Sequence, residues 1–161
     1  MKRASQEEAE ATDITSGEYA KFTSDSAFYQ EHHSNNYYEL NYLVLGVGGE
    51  GGEVVDAWKK FCREAPIHAL TLQIPMESSE WKAYGLPIVY ELGDVMWYVT
   101  HLLRVLDISM EDLLLLNAYK LYQRHKDKDI QMEWCFEMPL AEAARRVEEL
   151  ESYIRLRGPK S

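Results

Sequence analysis

From about residue 16 onwards the apolar positions of the chain recur at intervals of three and four rather than two, the period of a helix buried along one side. Proline stands only at 66, 75, 87, 139 and 159, which leaves long stretches with nothing to interrupt a helix. The pattern predicts an all-α chain. A first helix is expected over about 16–28, with Tyr19, Phe22 and Ala27 on one side, ending at the polar His32-His33-Ser34-Asn35-Asn36 stretch. A second runs from Tyr37 to about Phe61, its apolar side formed by Leu40, Leu43, Val44, Val47, Val54, Trp58 and Phe61. Residues 62–84 read as a long irregular connection. Pro87 suits the first turn of a third helix that carries Ile88, Leu92, Val95, Met96, Val99, Leu102, Leu103 and Leu106. Ser109-Met110-Glu111-Asp112 places a capping hydroxyl and an acid three residues on before Leu113–Leu116, so a fourth helix follows to about His125. The period returns from Pro139 to Arg155 through Leu140, Ala143, Val147, Leu150 and Ile154.

Four to five helices make a bundle. The expected organisation is a flexible extension over 1–15, a helical domain over 16–126, and a linker with a C-terminal helical arm over 127–161.

Seventeen basic and 27 acidic residues give a net charge of −10. That charge repels a phosphate backbone and argues against a polynucleotide partner. An acidic protein still binds a small phosphorylated ligand when its carboxylates hold divalent cations. No apolar run is long enough to cross a bilayer, and the N-terminus lacks the pattern of a secretory signal, so no membrane partner and a cytoplasmic location are expected. Cys62 and Cys135 fit no zinc or redox spacing.

The chemistry is expected at two acidic pairs. Glu50 and Glu53 stand three apart, on one helical face with Cβ atoms roughly 5–6 Å apart, inside the glycine-rich run Gly46-Val47-Gly48-Gly49-Glu50-Gly51-Gly52-Glu53. Glu91 and Asp94 repeat the spacing on the third helix. By chance alone 27 acids in 161 positions give about four such pairs, but these two lie among core-type residues: Val47 and Val54 for one, Leu92, Val95 and Met96 for the other. Facing carboxylates repel unless they bind protons or cations, and oxygen ligands with room for water suit Mg²⁺. A di-iron bundle would need Glu-x-x-His pairs, and the glycine run has neither the Gly-Lys-Ser/Thr nor the preceding strand of a phosphate-binding loop. In a helix, each glycine costs roughly 1 kcal/mol relative to alanine; beside carboxylates they make room for a neighbouring helix and a metal-bound polyphosphate.

Lys59, Lys60 and Arg63 follow the first pair, and Asn117, Lys120 and Arg124 line the fourth helix at spacings of three and four; both sets suit phosphate. Asparagine is a poor choice in the middle of a leucine-rich helix, which marks Asn117. Tyr98, one turn past Asp94, is placed to bring a hydroxyl to the site. Trp58, Trp81 and Trp97 read as packing, His101 as a satisfied interior histidine, and Asp56 as the partner of Lys60.

Taken together, the residues resemble the MazG-like, all-α nucleoside triphosphate pyrophosphohydrolases. The glycine-rich run continuing through Val54-Val55-Asp56-Ala57-Trp58-Lys59-Lys60 is similar to that family's first segment. Glu91-Leu92-Gly93-Asp94-Val95-Met96-Trp97-Tyr98 is similar to its second, and Asp107-Ile108-Ser109 leading to Asn117, Lys120 and Arg124 to its third. The resemblance spans about residues 16–125, with Gly51 where an alanine is usual. It implies a MazG-like bundle completed by dimerisation, with Glu50, Glu53, Glu91 and Asp94 holding Mg²⁺, or Mn²⁺ in its place, over a nucleoside triphosphate. It also implies attack of water at the α-phosphate, giving a monophosphate and pyrophosphate. Lys60, Tyr98, Asn117, Lys120 and Arg124 would then bind substrate, and Glu53, or else Glu50, would position or deprotonate the water. Two other readings use the same surface: a non-catalytic helical dimer module that binds a nucleotide or a protein, and a pyrophosphohydrolase of a nucleotide-like metabolite such as a phosphoribosyl-ATP. The apolar surface of so small a bundle points to a homodimer or a dimer of dimers.

Overall fold

Among the described residues of the computed structural model, five helices follow one another: α1 (Ser16–Asp25), α2 (Tyr37–Glu64), α3 (Ser79–Leu106), α4 (Met110–His125) and α5 (Leu140–Arg157). The structure describes residues 14–30, 32–64, 79–126 and 138–157, and among these it is all-helical. Most of the expected N-terminal extension, the middle of the 62–84 connection and most of the expected linker lie outside the described residues, as does the side chain of Trp81.

Local sequence accounts for the helix starts. Thr15 caps α1 in a full capping box with Glu18, and the Ser109 hydroxyl accepts the Asp112 amide at 3.0 Å at the start of α4, as the spacing predicts. Asn36 does the same for α2, its side-chain oxygen accepting the Glu39 amide at 3.0 Å. The third helix begins earlier than expected, at Ser79 rather than Pro87, so Pro87 lies inside it.

The long pair α2 and α3 forms the body of the fold. α1 packs on α3, and α5 packs on α4 around Leu115, Ala143 and Val147. Asp107 adopts a left-handed backbone, φ 56°, between α3 and α4.

A buried carboxylate that the periodicity did not single out fixes the turn between α1 and α2. Glu39 is fully buried. It pairs with Arg104 of α3 and accepts the Tyr29 hydroxyl at 2.8 Å, the Asn35 amide at 2.6 Å and the His33 amide at 3.1 Å. His33 and Asn35 both have positive φ, 62° and 50°, which turns their amides onto it. Burial pushes the Glu39 carboxyl upward, but the donors and the guanidinium outweigh burial and hold it below the usual value.

Much apolar surface stays open on the body of the fold. Val44, Leu45, Val55 and Trp58 of α2 and Leu86, Val89, Tyr90, Leu92 and Met96 of α3 are all exposed. Leu92 and Met96, core-type by the sequence pattern, and Trp58, read as packing, are thus exposed in the single chain, and on α1 Phe22 is too.

Candidate metal centre

Where α2 and α3 run side by side, one carboxylate from the first helix meets two from the second. Glu91 and Asp94, three apart, share a face of α3. Glu50 of α2 reaches them, so that an oxygen from each of the three lies within 4.8 Å of the others. Glu50 and Glu91 are half-buried and Asp94 is exposed. Burial pushes the Glu50 carboxyl above its usual range, and the charges of Asp94, Glu91 and Glu53 push it further the same way.

Glu53 is exposed and does not join the three-carboxylate cluster, although its charge is felt at Glu50. Three of the four expected ligands thus converge, while the fourth sits one helical turn along on the solvent side. The donor set fits a hard divalent cation. It is made only of carboxylate oxygens, one side is open to water, and the repulsion that raises Glu50 is what Mg²⁺ or Mn²⁺ would relieve.

Aromatic hydroxyls border the acids. The Tyr98 ring lies over Gly46, where any Cβ would overlap it, so this glycine is required by a close approach of α3 to α2. Gly48, Gly49, Gly51 and Gly52 are different: a Cβ at any of them would meet open space. The Tyr98 hydroxyl lies 3.3 Å from that of Tyr42. That hydrogen bond, burial, and the charges of Tyr42, Glu50 and Asp94 all push Tyr98 well above its usual value, so it is protonated at neutral pH. From α1, half-buried Tyr19 reaches the same field: burial first and the Asp94 charge second raise its hydroxyl.

The basic residues expected to grip phosphate stand apart from this cluster. Lys60, Asn117, Lys120 and Arg124 are exposed, and α4 packs chiefly on α5. Among the described residues the charges acting on Glu50 are all acidic. Asp56 pairs with Lys59 rather than with Lys60. His101 is buried as expected, but only half satisfied: its Nε2 donates to the Thr23 carbonyl at 2.9 Å while Nδ1 has no hydrogen-bond partner among the described residues.

The periodicity places Tyr19 on the packing side of the first helix without linking it to the acids, and does not single out Tyr42 or Glu39. Tyr42 stands two turns before Glu50 on α2, and Asn36-x-x-Glu39 has capping-box spacing; both signals were present in the sequence. Nothing in the sequence alone brings Tyr19 into the field of Asp94, because that approach depends on how α1 lies on α3.

No protein-family model matches the chain, and no solved structure matches it. Over 91 residues it is 33% identical to the Gene 37 protein of Mycobacterium phage L5, covering 56% of this chain and 69% of the phage protein. The chain belongs to the Gene 37 protein family. That name states no activity, so for this Gene 37 family member the chemistry rests on its own residues.

Proposed function

We propose that this Gene 37 family member is a Mg²⁺-dependent nucleoside triphosphate pyrophosphohydrolase, producing a monophosphate and pyrophosphate. The observation that carries the reading is the meeting of Glu50, Glu91 and Asp94 across α2 and α3, in the segments that resemble the MazG-like enzymes. Glu50, Glu91 and Asp94 would hold the cation, with Glu53 beside them. Bound there, it would supply positive charge to the polyphosphate and acidity to the attacking water.

The chain's own groups do the rest. Glu53, exposed and outside the cluster, is free to orient a water and accept its proton. Tyr98, held protonated, donates a hydrogen bond to a phosphate oxygen. The open faces of Gly48, Gly49, Gly51 and Gly52 admit the polyphosphate or a second helix beside the acids. Lys60, Asn117, Lys120 and Arg124 complete the anion site from a second copy of the chain. That copy would cover the apolar faces of α2 and α3 that one chain leaves exposed.

The test is a screen of standard and modified NTPs and dNTPs for pyrophosphate release with Mg²⁺. A monophosphate product from at least one is expected. Turnover of phosphoribosyl-ATP alone would move the substrate class, and turnover of none would favour a binding module.

A further inference from the structure

Three histidines close the end of α1, and none of them belongs to the carboxylate site. His101 of α3 donates from Nε2 to the Thr23 carbonyl at 2.9 Å. His32 Nε2 lies 3.3 Å from the Ser24 carbonyl, and His33 Nε2 lies 3.4 Å from the Ser24 hydroxyl. The Trp97 indole N–H adds a fourth tie, to the Ser26 hydroxyl at 3.2 Å. The hydrogen bonds that tie the last turn of α1 to α3 and to the following turn thus run through imidazole and indole nitrogens, beside the packing of buried Thr23 and Ala27.

His101 is the vulnerable member. It is 1% exposed, its ring centroid lies 4.2 Å from that of Trp97 and 6.0 Å from that of Tyr29, and its Nδ1 has no hydrogen-bond partner among the described residues. With Nε2 donating to a carbonyl, the neutral ring leaves Nδ1 as a bare acceptor, and a second proton would be a buried donor with nothing to receive it. Burial is the strongest influence and opposes that proton, as do Arg104 and His32; the hydrogen bond to the Thr23 carbonyl and the charge of Glu39 favour it, and the balance pushes the imidazole below its usual 6.5. His33 too is lowered, by burial first and then by His32 and Arg104, against the opposite pull of Glu39 and of Asp25 of α1. The buried Tyr29–Glu39–Arg104 network already uses the one carboxylate that faces this cluster from α2.

The same face of α3 carries Asp94, Trp97 and His101 at spacings of three and four. Asp94 lies about 10 Å along the axis from His101 at 1.5 Å per residue. Opposite, α1 presents Tyr19 to Asp94 and Thr23 to His101. We infer that α1 is a histidine-latched flap over the Asp94 face of α3, closed while His101 is neutral and released when His101 gains its second proton. The inference concerns α1 alone and stands whether or not the carboxylates are catalytic.

The sign follows from linkage. The open state, with a solvated imidazole near 6.5, binds the proton more readily than the closed state. Opening therefore becomes easier as pH falls below about 6.5, by up to tenfold per pH unit for one proton. The experiment is hydrogen exchange of the full-length protein, in EDTA, at pH 7.5, 6.5 and 5.5, after correction for intrinsic exchange, following peptides within residues 14–30. Protection of α1 should fall about tenfold between pH 7.5 and 5.5 in the wild type and stay level in His101→Gln, whose amide can still donate to the Thr23 carbonyl. Constant protection in the wild type would overturn the inference, and so would an equal fall in both proteins. Should His101→Gln not fold, the imidazole titration of His101 by NMR in the wild type decides: a midpoint below 6.5 that coincides with loss of α1 protection supports the latch, and a midpoint at or above 6.5 refutes it.

Discussion

Neutralising Glu50 should stabilise the metal-free protein and remove its response to Mg²⁺. Glu50 has an oxygen within 4.8 Å of oxygens on both Glu91 and Asp94. Two unit charges at that distance repel by about 0.9 kcal/mol in a water-like medium and about 3.5 kcal/mol at an effective dielectric of 20. Asp94 is exposed, so the lower figure governs, and physiological salt roughly halves it. Two pairs then leave about 1 kcal/mol of relief in Glu50→Gln, a rise in Tm of about 2–4 °C for a chain of this size. The wild type should instead gain about 2.7 kcal/mol when Mg²⁺ reaches a hundredfold over its dissociation constant, and the variant should gain far less. Calorimetry of both proteins in EDTA and across a MgCl₂ titration reads the two effects separately. A lower Tm for Glu50→Gln in EDTA would refute the crowding argument, and an unchanged Mg²⁺ increment would refute the assignment of Glu50 as a ligand.

Arg104→Met leaves the fully buried Glu39 without its cation, which should cost about 3 kcal/mol, near the low end for a broken buried pair because Tyr29 and two amides still donate. Since Glu39 titrates below its unfolded value of 4.5, the pair's contribution is complete at pH 7 and fades as pH falls beneath 4.5; urea unfolding at pH 7 and pH 4 should show the gap between wild type and variant closing. Glu50 has the opposite sign: its raised carboxyl makes the metal-free protein gain stability as pH falls toward 4.5 from above, a gain that Glu50→Gln should lose in the same unfolding series. Gly46→Ala drives a methyl into the Tyr98 ring and should destabilise by about 1–3 kcal/mol. Gly48→Ala meets nothing within 4 Å among the described residues and should stabilise the isolated fold by up to about 1 kcal/mol while impairing dimerisation or turnover, read by sedimentation alongside the activity assay; a fully active Gly48→Ala dimer would show that no helix or substrate approaches there.

The all-α architecture and the extent of α4 were legible in the sequence because the apolar period and the Ser109 cap agree on them. The early start of α3 was not, since Pro87 looks like a first-turn residue and gives no sign that the helix is already under way. The three-carboxylate cluster was legible from two acid pairs at helical spacing. Spacing assigns Glu53 to the face of Glu50, and only the packing of α2 on α3 decides that Glu50 rather than Glu53 joins the cluster. The glycines divide in the same way: Gly46 is explained inside one chain by Tyr98, whereas the space beside Gly48, Gly49, Gly51 and Gly52 is open and its use depends on what a single chain does not contain. Glu39 shows the limit most plainly. Its capping position is local, but its burial depends on Arg104, 65 residues away, a distance no periodicity reports.

Pyrophosphate release by the wild type, Glu50→Gln and Asp94→Asn, measured on the best substrate of the nucleotide screen with Mg²⁺ and again in EDTA, tests the central claim most directly. The account predicts Mg²⁺-dependent formation of equal amounts of monophosphate and pyrophosphate by the wild type, none in EDTA, and a loss of at least a hundredfold in either folded variant, in line with removing a group that stabilises transition-state charge. Near wild-type rates in Glu50→Gln or Asp94→Asn, or orthophosphate and a diphosphate as the products, would contradict it.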